Sequence, residues 1–182
     1  MTKKILILYG YDKIFAYSNI KRGFSGPMNT TIMRERFESY GYYVEVSTFS
    51  ELDLTRDFTG WFVLYASSEE KGLFYKDYIE DVLLSIRMRG GYLLPDFKYF
   101  RAHHNKYFAE MLRLNFKSNE LKTILSRSFG SYKELNDNVT HKIEYPVVIK
   151  SSSGSGSYGV KLAKNKEELI KNTKKIKQDY LL

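Results

Sequence analysis

The chain has 182 residues, no cysteine, 43% apolar residues and a formal net charge of +8. The apolar share is sufficient for a packed core, and the lack of cysteine excludes disulfide bonds and thiolate metal sites. The apolar run from Ile5 to Tyr9 is shorter than a signal-peptide core or a membrane span. These features predict a folded cytoplasmic protein with no membrane partner.

The first hundred residues alternate between strand and helix patterns. Strands are predicted at KILILY, YYVEVSTF, GWFVLYASS and YLLPDF. Helical spacing is found from Pro27 to Tyr40, with Gly41 as the stop, and again in YKDYIEDVLLSIRMRGG. This order predicts an α/β fold with an open, mostly parallel sheet.

At about residue 118 the composition becomes hydroxyl-rich and basic, which predicts two domains with the bounds 1–117 and 118–182. In the second domain, strands are predicted at 123–127 and 145–150, with a short helix near 131–135 between them. A further strand at VKLAK precedes a helix that begins near Asn165, where Asn165 and Glu168 have the spacing of a capping box.

The positive charge is concentrated near the carboxyl end, where residues 161–182 carry seven lysines and three acidic residues. The lysines fall between Leu169, Ile176 and Tyr180, which share one helical stripe. The pattern favours a solvated helix face over a nucleic-acid surface, which would interleave arginines and aromatics. A basic nucleic-acid-binding domain is kept as the less favoured alternative.

The stretch YPVVIKSSSGSGSYGV, residues 145–160, is the richest in glycine and serine and joins two predicted strands. Gly154, Gly156 and Gly159 spell G-x-G-x-x-G, but a dinucleotide-binding loop must open into a helix, and here a strand follows. Walker A and protein-kinase motifs are absent from the sequence. A bare loop between strands is typical of a phosphate lid, because its backbone N–H groups can approach an anion closely. Lys150, which ends the first strand, is expected at the open side of this lid.

The residues EYPVVIKSSSGSGSYGVKLAKNKEEL resemble the nucleotide-binding hairpin of the ATP-grasp family, including the Tyr-Pro start, the lysine and the returning Gly-Val strand. HHNKYFAEML resembles the helix opening (D/N)-K of the same family. The resemblance implies a pre-ATP-grasp-like domain followed by the first, lid-bearing part of an ATP-grasp α+β subdomain. Family members place an adenine-gripping strand and magnesium ligands beyond the lid. The chain is therefore expected to be an amino-terminal piece of a longer protein, inactive by itself.

The chemistry implied by the resemblance is the ATP-driven joining of a small-molecule carboxylate to an amine through an acyl phosphate. Lys150 would contact the α- and β-phosphates, and Lys106 would reach the phosphates or the adenine edge. The implied ATP-binding residues are Lys106, Lys150, Ser151, Ser152, Ser153, Gly154, Ser155, Gly156, Ser157 and Gly159. No catalytic residue is assigned, and the Mg²⁺ ligands are expected beyond residue 182. A solvated lysine is the alternative interpretation of Lys106 and Lys150.

Weaker substrate candidates follow the predicted strands of the first domain, because open α/β sheets bind ligands at the carboxyl ends of their strands. They are Gly10, Tyr11, Ser67, Ser68 and Glu69. For residues 67–69, helix capping is the alternative interpretation.

The three histidines, His103, His104 and His141, lack the spacing of a metal pair, so no metal site is predicted within the chain. A non-catalytic ATP-sensing or partner-binding module is kept as an alternative function, and a homodimer is left open.

Overall fold

The computed structural model describes residues 3–11, 15, 28–66, 74–116, 119–122, 124–138, 143–153 and 159–174. The chain divides into two units, Met1–Phe97 and Lys98–Leu182. Each unit has a hydrophobic cluster of its own. In the described part of the chain, no helix combines the length and the apolar composition needed to cross a bilayer.

The first unit contains a parallel sheet of four strands in the order β2-β1-β3-β4. Its elements are β1 (Lys4–Tyr9), α1 (Thr30–Ser39), β2 (Tyr43–Thr48), β3 (Trp61–Tyr65), α2 (Phe74–Met88) and β4 (Tyr92–Leu94). Ile5 of β1 lies opposite Val44 of β2 and Phe62 of β3. The open parallel sheet predicted from the sequence is confirmed.

Strand β1 is covered on both faces, which explains its continuous apolar sequence. Ile5 and Ile7 belong to a cluster that packs against Phe37 of α1. Leu6 and Leu8, which point to the opposite face, have no solvent exposure. A central strand of a parallel sheet needs apolar side chains at every position for this reason.

Helix α1 begins at Thr30, three residues after the predicted start at Pro27. Asn29 caps it, since its side-chain oxygen accepts hydrogen bonds from the amides of Thr31 and Ile32 at 2.9 and 3.2 Å. The predicted stop is confirmed: Gly41 has a φ of +82°, the left-handed conformation that favours glycine after a helix.

The second unit contains an antiparallel hairpin with helices. Its elements are α4 (Lys106–Asn115), α5 (Asn119–Lys122), α6 (Tyr132–Asn138), β5 (Val147–Lys150), β6 (Val160–Ala163) and α7 (Lys166–Thr173). Helix α3 (Phe97–His104), which the sequence did not predict, begins at the last residue of the first unit. Ile149 and Ala163 of the hairpin pack with Leu135 and Leu169 from α6 and α7.

Helix α4 belongs to the second unit because its residues bond to residues downstream. The amide of Lys106 donates to the carbonyl of Ser152, and Ser126 donates to Glu110. The division after Phe97 lies earlier in the chain than the domain boundary expected between residues 117 and 118.

The strand predicted at 123–127 was wrong for the residues that the structure describes there, 124–127. The carbonyl of Ile124 accepts a hydrogen bond from Arg113 at 2.8 Å, and the hydroxyl of Ser126 donates to Glu110. Leu125 is 91% exposed. Side chains of α4 form hydrogen bonds with polar groups of residues 124–127. The apolar side chains of residues 124–127 face solvent and do not pack against a sheet.

Candidate functional site

Lys150 is the last residue of β5 and lies on the exposed face of the hairpin. Alternation along the strand places Ile149 in the core cluster and Val148 and Lys150 on the opposite face. Across the hairpin Lys150 pairs with Val160. The lysine therefore lies at the end of the strand, as the sequence predicted, and its place at the open side of the lid stays a prediction because residues 154–158 lie outside the described residues.

The face that carries Lys150 is otherwise apolar. Val148 and Leu162 lie opposite each other and are each 51% exposed, and Val160 is 38% exposed. An apolar surface beside an ammonium group suits a ligand that combines a flat apolar ring with an anionic group.

Three serines follow Lys150, and the first two are buried. Ser151 and Ser152 are 9% and 5% exposed. The hydroxyl of Ser151 donates a hydrogen bond to the carbonyl of Ser153 at 2.9 Å. The first part of the loop therefore leaves the strand in a hydrogen-bonded turn.

Lys106, the first residue of α4, contacts the same serine segment. Its backbone amide donates to the carbonyl of Ser152 at 2.7 Å, and its ammonium donates to the carbonyl of Ser153 at 3.0 Å. Asn105 caps the helix by accepting a hydrogen bond from the amide of Phe108 at 2.9 Å. Two parts of the predicted site, which are far apart in sequence, are thus brought into contact.

Gly159 lies at the other end of the loop. It has a φ of +78°, and a Cβ added there would lie 2.5 Å from the hydroxyl oxygen of Ser151. Both its conformation and its surroundings therefore require glycine. The remaining predicted loop residues, Gly154, Ser155, Gly156 and Ser157, lie outside the described residues.

Glu110 lies one turn after Lys106 on α4 and links this helix to Ser126, and the sequence did not predict this role. Arg113 donates to its carboxylate from Nε at 2.8 Å, and Ser126 donates to it as well. The hydrogen bond from Arg113 is the main reason why the pKa of Glu110 is lowered, and the charge of Lys150 lowers it further. The i, i+3 spacing of Glu110 and Arg113 was visible in the sequence, but the contact with Ser126 was not.

The weaker substrate candidates belong to the first unit. Gly10 is buried at the end of β1. The amide of Tyr11 donates to the hydroxyl of Tyr75 at 3.1 Å, and the two rings meet edge to face at 5.1 Å. Ser67, Ser68 and Glu69 lie outside the described residues. Their assignment to a substrate site stays a prediction.

Comparison with known families finds a match within the second unit. Residues 112–179 match the family model described as carbamoyl-phosphate synthase L chain, ATP binding domain. The matched model is that of an ATP-grasp domain, and the match covers less than half of the chain. The matched residues contain the hairpin at 145–160, so the resemblance inferred from those residues is confirmed. No curated protein matches the chain.

Solved structures of ATP-grasp proteins and related ligases are also similar to the chain. They include a RimK domain protein ATP-grasp from Sphaerobacter thermophilus (15% identity, TM-score 0.46, 97% of this chain and 62% of that chain), the D-cycloserine synthetase DcsG (13%, 0.49, 97% and 57%) and the D-alanine–D-alanine ligase of Bacillus anthracis (18%, 0.47, 99% and 56%). The chain spans less than two thirds of the length of each.

Proposed function

We propose that the chain is the ATP-binding part of an ATP-grasp ligase that joins a carboxylate to an amine. One observation carries the proposal. Lys150 lies beside an exposed apolar face and directly before a serine- and glycine-rich loop, within a segment that matches an ATP-binding domain. The surface thus combines the two properties that a nucleotide needs, an apolar area for the base and a cation for the phosphates.

In this proposal the purine ring of ATP lies on the face formed by Val148, Val160 and Leu162. The triphosphate extends toward Lys150 and the backbone of the loop, and Lys106 approaches the phosphates from the side of α4. A charge-assisted hydrogen bond from a lysine to a phosphate contributes about 1.5–3 kcal/mol.

The proposed reaction has two steps. The carboxylate of one substrate attacks the γ-phosphorus of ATP, and ADP leaves as the acyl phosphate forms. The amine then attacks the acyl carbon, and phosphate and a proton are released. In the first step the lysines would stabilise negative charge on the phosphates, and the loop would exclude water that could hydrolyse the acyl phosphate.

Gly10, Tyr11 and residues 67–69 are the proposed substrate contacts, and the cytoplasm is the proposed location.

Magnesium, which commonly accompanies ATP in this chemistry, has no residue assigned in the proposal. Among the described residues, no three His, Cys, Asp or Glu side chains are grouped so that they could hold a metal ion. The proposal therefore names no magnesium ligand among the described residues.

The experiment that tests the proposal is a calorimetric titration of the chain with ATP and, separately, with inorganic triphosphate. Lys150→Met keeps the apolar stem and removes the charge, and we expect at least tenfold weaker binding of both ligands. Lys171→Met, an exposed lysine on α7, is the matched control and should bind both ligands normally. Unchanged affinity in Lys150→Met would remove Lys150 from the site, and no binding of ATP by the unmodified chain would reject the proposal.

A further inference from the structure

We infer that Lys106 is a positioning residue for Ser152 and Ser153, the segment through which the chain passes from Lys150 into the glycine-rich loop. Lys106 would act on a ligand partly through this backbone and not only by direct contact. The consequence for nucleotide binding rests on the proposed function, whereas the structural role does not.

Two hydrogen bonds of Lys106 end on two consecutive carbonyls. Its amide donates to Ser152 and its ammonium donates to Ser153. The carbonyl of Ser153 also accepts a hydrogen bond from the hydroxyl of Ser151. Because Ser152 is buried, its carbonyl needs a protein partner when water is excluded, and the amide of Lys106 supplies one.

The helix that carries Lys106 is itself fixed one turn later. Glu110 accepts a hydrogen bond from Ser126, and Arg113 donates to the carbonyl of Ile124. The hydrogen bonds to Ser126 and Ile124 therefore hold in place the helix from which Lys106 extends. A lysine in the first turn of a helix is opposed by the helix dipole, so a purely solvated lysine would gain nothing from this position.

Ordering the serine segment in advance would favour ligand binding. A loop that is ordered only when a ligand binds loses conformational entropy at that moment, which weakens the affinity. An ammonium carries three N–H donors, so the bond to Ser153 is compatible with a phosphate contact by the same group.

The test measures order parameters of the backbone carbonyl ¹³C nuclei by NMR on the full chain without nucleotide, because the two hydrogen bonds from Lys106 end on carbonyls. In Lys106→Met we expect the order parameter of Ser153 to fall from about 0.85 to below about 0.6. Ser152 should change less, because its bond comes from the backbone amide of residue 106, which the substitution keeps. Lys106→Arg should restore the order of Ser153, and the control Lys171→Met should leave it unchanged. An order parameter of Ser153 in Lys106→Met equal to that of the unmodified chain would overturn the inference.

A measurement on the unmodified chain does not depend on whether a variant folds. A hydrogen-bonded ammonium exchanges its protons more slowly than a solvated one, so the ¹⁵Nζ signal of Lys106 should persist where that of Lys171 is lost. Equal exchange at the two lysines would also overturn the inference.

Titration with ATP separates this inference from the proposed function. We expect Lys106→Met to bind ATP about tenfold more weakly and Lys106→Arg to bind nearly as the unmodified chain does. If Ser153 loses order in Lys106→Met and no form binds ATP, the positioning role is supported and the proposed function fails. If Ser153 loses order and ATP binds with unchanged affinity, the consequence for binding is overturned.

Discussion

The hydroxyl of Ser151 lies against the backbone of Gly159. A Cβ added to Gly159 would lie 2.5 Å from this oxygen, far inside van der Waals contact. The two residues flank the glycine-rich loop, Ser151 directly after β5 and Gly159 directly before β6. The two ends of the loop therefore lie close together, and Ser151 is next to the start of β6.

Gly159→Ala should lower the free energy of unfolding of the second unit by about 2 kcal/mol. The left-handed φ contributes about 1–2 kcal/mol for a non-glycine residue, and the contact with Ser151 adds to this. Urea denaturation followed by far-UV circular dichroism measures the change. Combining the variant with Ser151→Ala should recover only the part due to the contact. Wild-type stability in Gly159→Ala would contradict the packing described for the loop.

Gly91→Ala should destabilise the first unit by about 1–3 kcal/mol. An added Cβ would lie 2.5 Å from Cγ2 of Ile86 and 3.2 Å from Cβ of Phe58. Trp61, the single tryptophan and a buried residue of β3, reports unfolding of this unit by fluorescence. Gly60→Ala is a comparison in which crowding is absent: Gly60 has a φ of +79° but no atom within 4 Å of an added Cβ, so only the conformational cost applies. Stability of Gly91→Ala equal to that of the unmodified chain would show that crowding at Gly91 is unimportant.

Arg56→Lys should destabilise the first unit by about 0.5–1 kcal/mol although it keeps the charge. The guanidinium lies over the rings of Phe58 and Trp61, at 4.8 and 4.7 Å, and donates to Glu45 at 2.7 Å. A compact ammonium cannot stack on two rings in this way. Unfolding monitored by the fluorescence of Trp61 measures the loss.

The control for this stack is Arg34→Lys. Arg34 pairs with Glu38 on the exposed surface of α1, and such pairs contribute little. A loss in Arg34→Lys as large as that in Arg56→Lys would argue against stacking as the cause.

The stability of the second unit should fall in acid through Glu110. The hydrogen bond from Arg113 lowers the pKa of Glu110 in the folded state below its ordinary value of 4.5. The ionised carboxylate therefore stabilises the folded state above about pH 4.5, and this contribution is lost as the pH falls through the lowered pKa. Urea unfolding from about pH 7 to 3 should show a smaller acid loss in Glu110→Gln than in the unmodified chain. An NMR titration in which Arg113→Met leaves the pKa of Glu110 unchanged would refute the assigned cause.

Val148→Asn should weaken binding of ATP about fivefold and leave binding of inorganic triphosphate unchanged. The side chain lies on the exposed apolar face, so the fold should tolerate the change, but the proposed purine contact loses roughly 1 kcal/mol of apolar burial. Calorimetric titration with both ligands measures the difference. An equal loss for the two ligands would place the base elsewhere.

The sequence by itself determined most of the local elements and the chemical character of the candidate site. Continuous apolar residues indicated the buried strand β1, and the capping spacing at Asn165 was confirmed by the hydrogen bond from the amide of Glu168 to the side chain of Asn165, at 2.9 Å. The loop after Lys150 was recognisable because glycine and serine are grouped there between two apolar strands, and such residues leave the backbone N–H groups accessible to an anion. These features depend on neighbours within a few residues, which the sequence displays directly.

Only the tertiary structure decided which distant segments meet. The contact of Lys106 with Ser153 and that of Glu110 with Ser126 join residues far apart in the chain, and no periodicity encodes such pairs. The prediction of a strand at 123–127 was wrong for the same reason. A β-pattern forms a strand only where a partner strand is adjacent, and here the carbonyl of Ile124 bonds to the side chain of Arg113 instead. The local sequence pattern therefore determined which structure each segment could form, and packing between segments determined which structure and contacts each one adopts.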